Sequence, residues 1–211
     1  MKYIQKGSEP DSFSAWKAQE SSEWKPSYDD LSGSPKRALK QALMREQGFI
    51  CCYCEREIVD ADSHIEHFRP QHDPLTDPLD YQNLLCSCQQ SLKRSEPRHC
   101  GNLKGDWFDD TLLLSPLDSS CEARLAYTAD GRVHPAQSDD QAAVATISHL
   151  GLDCAKLQGL RKAAISPFLE EELTQTEFGL FVENYLCLDQ TGHFQPFWTT
   201  IRHLFGSGVQ S

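Results

Sequence analysis

Long apolar runs are missing from this 211-residue chain. Segments such as Leu112-Leu113-Leu114 fall far short of the ~20 residues a bilayer span needs. The opening MKYIQKGSEPDSF carries no apolar stretch of the signal-peptide kind. These absences exclude a helical membrane protein and predict a cytoplasmic one. No internal repeat is visible. With 39% hydrophobic and 24% charged residues, Gly 12 and Pro 11, the chain is neither disordered nor fibrous. Positive charge is scarce and uneven. The formal net charge is -11, but residues 1–104 hold 14 Lys+Arg against 16 Asp+Glu, whereas residues 105–211 hold 6 against 15. Binding of nucleic acid over the whole surface is thereby excluded. A local basic face is left to the first half, and the second half should repel phosphate and suits a partner contact better.

Cysteine, in contrast, is abundant: nine in all, six of them between Cys51 and Cys100. Disulfides rarely persist in the cytosol, so clustered cysteines there point to metal or chemistry. Cys121, Cys154 and Cys187 are scattered, and they are expected to be buried as small apolar residues.

The texture divides the chain into an N-terminal arm and helix (1–48), a cysteine-rich core (49–108) and a mainly helical, acidic region (109–211). Residues 1–33 read as an irregular arm anchored by Trp16 and Trp24. Ser34-Pro35 reads as cap and first turn of a helix over 35–47, stopped at Gly48. FICCYCEREI reads as a strand entering a knuckle, and SHIEHFRP as a short strand ended by Pro70. Residues 71–80 read as loop, before Tyr81 leads back to Cys88. Helical periodicity predicts helices over 139–150, 153–172 and 175–189, and Asp130-Gly131 suggests a hairpin within 123–135.

Cys51-x-x-Cys54 suits two thiolates on one tetrahedral zinc. A second pair must come from Cys86, Cys88 and Cys100. Cys86-x-Cys88 is too tight, and pairing Cys88 with Cys100 requires the loop between them to fold back. A four-cysteine zinc would be structural, because it leaves no open coordination position. Arg56, Lys93, Arg94, Arg98 and Lys104 could balance its formal -2. Buried free thiols, or a redox pair at Cys51 and Cys54, are the competing readings.

Between the cysteines lies His64-Ile65-Glu66-His67. Phosphodiester hydrolysis needs a base near neutral pH, which suits His67. It needs a hard divalent cation held by oxygen, which suits Glu66. It also needs an orienting or ligating amide, which suits Asn83. In a regular strand Glu66 and His67 diverge while His64 and Glu66 share a face. The adjacent pair works together if the strand bends or ends at His67, before Pro70.

The series CxYCE at 51–55, IEHFRPQ at 65–71, YQNLL at 81–85, SC at 87–88 and HCGNLKG at 99–105 resembles the zinc-bound HNH (ββα-metal) endonucleases. More narrowly, with KGSEPDSFSAWK, the EQG helix end and LGLDCAKLQGLRKAAI, it resembles the retron- and Septu-associated HNH nucleases of bacterial anti-phage defence. That resemblance covers most of the chain. It implies an α+β fold in which a zinc-braced ββα-metal core is joined to an N-terminal arm and a helical C-terminal region. It implies His67 as general base, Glu66 as ligand of a catalytic Mg2+ or Mn2+, and Asn83 as the middle Asn of the motif. Cys51, Cys54, Cys88 and Cys100 become the ligands of a structural Zn2+. Many members carry Asn or His directly after the last Cys, where this chain has Gly101. Asn102, then His99, are the substitutes for that second metal ligand. Arg69, Lys93, Arg94 and Lys104 are the expected substrate contacts, on DNA or tRNA, with loop 92–104 as the exposed basic segment. The resemblance also implies an ABC/SMC-like ATPase partner and, in retrons, a reverse transcriptase with its hybrid DNA-RNA product (msDNA). A zinc-braced module that binds nucleic acid or protein without catalysis is the alternative.

Overall fold

A computed structural model describes residues 1–170 and 172–206. Helices α1 (Asp11–Lys17) and α2 (Gly33–Glu46) precede strands β1 (Ser63–His67) and β2 (Leu84–Cys88) and the single-turn helix α3 (Gly101–Lys104). Then come α4 (Cys121–Arg124), β3 (Leu125–Tyr127), β4 (Val133–Pro135), α5 (Gln141–His149), α6 (Ala155–Glu170), α7 (Gln175–Leu186) and α8 (Trp198–Phe205). The fold is mixed, with two small antiparallel sheets, β1–β2 and β3–β4, among helices.

The apolar face of α2, with Leu39, Leu43 and Met44 buried, packs onto the buried strand β2. Each such leucine contributes about 1.5–3 kcal/mol by leaving water. The turn out of α2 is fixed by Gln47, which is 2% exposed. Its Nε2 donates to the carbonyls of Ile50 and Cys86, both at 2.8 Å, and its Oε1 accepts from the Cys86 N–H at 2.7 Å. A buried amide so fully satisfied ties helix, knuckle and strand together. Gly48 (φ 59) ends the helix, as its sequence suggests. The start differs, since α2 begins at Gly33 and Ser34 lies inside its first turn, without a side-chain cap at Ser32. Residues 49–58 form no regular strand. A lone bridge joins Ile50 to Glu57, and the turn between them carries Cys51 and Cys54.

The arm is more ordered than its composition suggests. Phe13 on α1 is fully buried, and Trp16 stacks on it at 6.0 Å. The C-terminal end, α8 included, returns to the knuckle. The Phe197 N–H donates to the Glu55 carbonyl at 2.9 Å, the Thr199 N–H to Glu55 Oε2 at 2.7 Å, and Phe49 stacks on His193 at 3.8 Å. One buried cluster runs from Met1 to Leu157. A second joins Ile165, Phe168, Val182 and Ile201. The predicted helix over 153–172 is seen as Ala155–Glu170, and residue 171 lies outside the described residues. Of the scattered cysteines, Cys121 is buried, Cys154 half-buried and Cys187 exposed, so the expectation of burial fails at Cys187, just beyond α7.

Candidate active site

The four sulfurs of Cys51, Cys54, Cys88 and Cys100 lie within 4.8 Å of one another and are all buried. Cys54 Sγ and Cys88 Sγ are 3.8 Å apart. Tetrahedral bonds of about 2.3 Å to zinc place sulfurs about 3.8 Å apart, so the quartet fits that ion. A redox reading of Cys51 and Cys54 explains neither the other two sulfurs nor the burial. Although burial opposes it, hydrogen bonds from the Cys100, Cys52, Cys54 and Cys88 thiols hold Cys51 well below the ordinary thiol range. Burial pushes Cys100 up. Cys52 and Cys86 remain outside the quartet, and burial raises both, Cys86 to about 12.

The chain between Cys88 and Cys100 folds back because Gln89 closes its base. Gln89 Oε1 accepts from the His99 N–H and Nε2 donates to the Pro97 carbonyl, both at 3.0 Å. Cys100 itself takes a positive φ of 55°, a rare conformation for a non-glycine residue, and its N–H meets the Leu150 carbonyl at 2.8 Å. Arg56 pairs with Asp62 at 2.7 Å. Burial works against its charge, but the charges of Cys88, Cys54, Asp62 and Cys51 together raise its pKa.

Strand β1 carries the second group of residues. Its register sets His64 opposite Ser87 and Glu66 opposite Leu85. Alternation puts His64 and Glu66 on one face, and His64 Nε2 is 3.4 Å from Glu66 Oε2. Glu66 is 7% exposed. Its Oε1 accepts from Tyr53 Oη at 3.1 Å and pairs with Lys104 Nζ at 3.0 Å. The strand ends at His67, and the chain bends at Phe68 and Arg69. His67 Nε2 is 3.0 Å from the Pro78 carbonyl. A carbonyl can only accept, so Nε2 carries the hydrogen and Nδ1 of the neutral ring holds the free lone pair. Burial lowers the His67 pKa, against the raising effects of the Pro78 bond and the Glu66 charge. Tyr28 packs edge-on against the ring at 4.5 Å. Burial, then the Glu66 charge, pushes its phenol up to about 12, so it stays neutral. An open cavity of about 210 Å³ is lined by Glu66, His67, Pro70, Gln71, Gly101 and Lys104 among others.

Asn83 ties both ends of its amide to the backbone of Arg69, so it orients the loop after β1. The two expected substitutes for the second ligand lie elsewhere. Asn102 Nδ2 donates to the Gln89 carbonyl at 2.6 Å. His99, fully buried, sets Nδ1 3.2 Å from Cys100 Sγ and 3.7 Å from Cys88 Sγ. Burial holds it neutral, with a pKa lowered to about 4. Lys104 is only 4% exposed. Besides Glu66, its ammonium meets the carbonyls of His67 at 3.1 Å and Gly105 at 3.2 Å, so its three N–H groups are committed and it braces the site. Arg69 is half-buried, paired with Asp73 and Asp110 and lying over the Phe108 ring. Lys93 and Arg94 are exposed. Sequence reasoning missed Tyr53, Pro78 and Tyr28, which touch Glu66 or His67 across long sequence separations and leave no local signal. The pairing of His64 with Glu66 follows from alternation alone.

No family model matches the chain. It is 28% identical over 137 residues to a protein of Vibrio cholerae serotype O1 biovar El Tor named "Retron Vc95 putative HNH endonuclease". The match covers 62% of this chain and 64% of that relative, so the chain spans less than two thirds of the relative's length. No helix among the described residues is long and apolar enough to cross a membrane.

Proposed function

We propose that this chain is a metal-dependent HNH endonuclease that hydrolyses phosphodiester bonds of DNA or tRNA, with β1, β2 and α3 as its ββα-metal core. The observation that carries this reading is His67. Its Nε2 is fixed on Pro78, which leaves Nδ1 as the acceptor, and His67 and Glu66 line the same open cavity. The donor chemistry of Glu66 fits a divalent cation, since Oε2 is engaged neither by Tyr53 nor by Lys104. Such a cation, Mg2+ or Mn2+, would supply charge stabilisation at the leaving oxygen.

The chain's own residues do the rest. His67 Nδ1 takes the proton of the attacking water, a step typically worth 10²–10⁴-fold. Pro78 and Tyr28 hold the ring in one tautomer and orientation. Asn83 fixes the loop that follows the base. Lys104 neutralises one oxygen of Glu66, and the zinc quartet braces the end of β2 against the head of α3. Exposed Lys93 and Arg94 attract phosphate without reading sequence.

We further propose a role as effector of anti-phage defence. The retron setting of the relative favours a retron over a Septu system. The partners in this reading are an ABC/SMC-like ATPase, a reverse transcriptase and its msDNA, with the acidic C-terminal region as the docking surface. On α7, Glu177, Leu180 and Glu183 are exposed. Charge reversal at Glu177 and Glu183 should weaken co-purification with the ATPase. Deleting 139–211 would be uninformative, because it removes Leu150 and Thr199 from their bonds to Cys100 and Glu55.

The deciding experiment incubates purified chain, with and without the ATPase, with labelled DNA and total RNA in Mg2+ or Mn2+. Cleavage lost in His67→Ala and Glu66→Ala supports the enzyme. Equal cutting by parent and variants would overturn it and leave a zinc-braced binding module.

A further inference from the structure

Gly101 stands where an Asn or His side chain would otherwise offer a donor from α3. A Cβ there would overlap Glu66 Oε2 and come within 2.9 Å of His64 Nε2. The space of the missing side chain is therefore occupied by two side chains of β1. Only glycine admits them both.

We propose that His64 is the second protein ligand of the cation at Glu66, in place of a side chain on α3. This rests on the nuclease reading of the Glu66 cavity. Strand periodicity places both donors on one face, and Nε2 and Oε2 stand 3.4 Å apart. Two donors about 2.1 Å from one ion, in adjacent positions, are about 3.0–3.4 Å apart. Tyr53 and Lys104 both engage Oε1, which leaves Oε2 facing the imidazole. The other candidates are held away from Glu66 by their anchors, Asn102 Nδ2 on the Gln89 carbonyl and His99 Nδ1 beside the sulfurs of Cys100 and Cys88. An imidazole in the donor set also tilts the site from Mg2+ toward Mn2+ and later first-row ions, because Mg2+ favours all-oxygen shells.

The test uses the full chain, zinc-loaded and free of nucleic acid, titrated with Mn2+ and followed by electron paramagnetic resonance. Wild type should bind Mn2+ with nitrogen hyperfine modulation from one imidazole. His64→Ala and His64→Gln, each checked for retained zinc and melting temperature, should lose that modulation and bind Mn2+ about tenfold or more weakly. Asn102→Ala should keep both. Modulation that persists in both His64 variants overturns the assignment. So does a wild type that binds no Mn2+, or a Glu66→Gln variant that binds it equally well. A wild type that binds through nitrogen yet cuts no nucleic acid sinks the nuclease reading and leaves the ligand assignment standing.

Discussion

The side chain of Asn83 closes a ring of two hydrogen bonds on Arg69, accepting from its N–H and donating to its carbonyl, each at 2.8 Å. Both bonds fall two residues past His67, so they set the path of the chain as it leaves the candidate base. Asn83→Ala removes both and should cost about 1–3 kcal/mol. Displacing His67 by even about 1 Å can cost ~10²-fold in rate. Asn83→Asp keeps the acceptor but sets a carboxylate against the Arg69 carbonyl. Both variants should therefore cut far more slowly while their zinc content stays at the wild-type level. Full cleavage by Asn83→Ala would show that the clasp does not position the base.

Exposed Lys93 and Arg94 sit on the loop whose base Gln89 closes. Reversing both charges should weaken nucleic-acid binding. If each meets one phosphate, the slope of log affinity against log salt should fall by about 0.9 per contact on duplex DNA. Binding isotherms at several salt concentrations read this directly, and an unaltered slope would place the substrate elsewhere.

Much of the site is legible in the sequence because it is local. One CxxC marks two of the four clustered thiols, the family resemblance names Cys88 and Cys100 as the other two, and the shared face of His64 and Glu66 follows from a period of two. The stop of α2 at Gly48 is equally local. What was illegible depends on distant partners. Lys104 looks like a surface cation, as lysines almost always are. It is buried because Glu66, the His67 carbonyl and the carbonyl of the adjacent Gly105 satisfy it. α1 and α8 are 7 and 8 residues long, too short to be stable alone. They exist because Phe13 is buried in the core and Thr199 bonds to Glu55. The hydrogen bond of His67 to Pro78 crosses a proline-rich loop, so no periodicity announces it.

Metal removal should separate the six central cysteines into two groups. A structural zinc site contributes about 10–16 kcal/mol in zinc-finger peptides, against about 5–15 kcal/mol for the whole stability of a typical domain. Cys54→Ser, Cys100→Ser or a strong chelator should thus abolish cooperative melting. Cys52→Ala and Cys86→Ala should retain about one zinc per chain and lose only packing, roughly 1–2 kcal/mol. Metal analysis beside thermal unfolding checks both halves. Zinc lost from Cys86→Ala but kept in Cys100→Ser would reassign the quartet.

Asp140 caps α5 through the Ala143 N–H at 2.9 Å and pairs with Arg124 at 2.5–2.7 Å. The Arg124 hydrogen bond, foremost, holds its carboxyl below the usual aspartate range. The native state therefore binds a proton here less readily than the unfolded chain does. The resulting stability is fully present above the unfolded pKa of about 3.9 and is lost as pH falls through the lower, folded value. Asp140→Ala should lose about 1 kcal/mol near neutral pH for the cap, with up to about 1 kcal/mol more for the partly exposed pair. Asp140→Asn keeps a cap acceptor and should lose only the second part. Melting curves from pH 7 to pH 3 should show the gap between wild type and Asp140→Asn closing as the carboxylate is protonated. A gap that widened toward acid would mean that the carboxyl gains a proton on folding and that Arg124 is not its dominant partner.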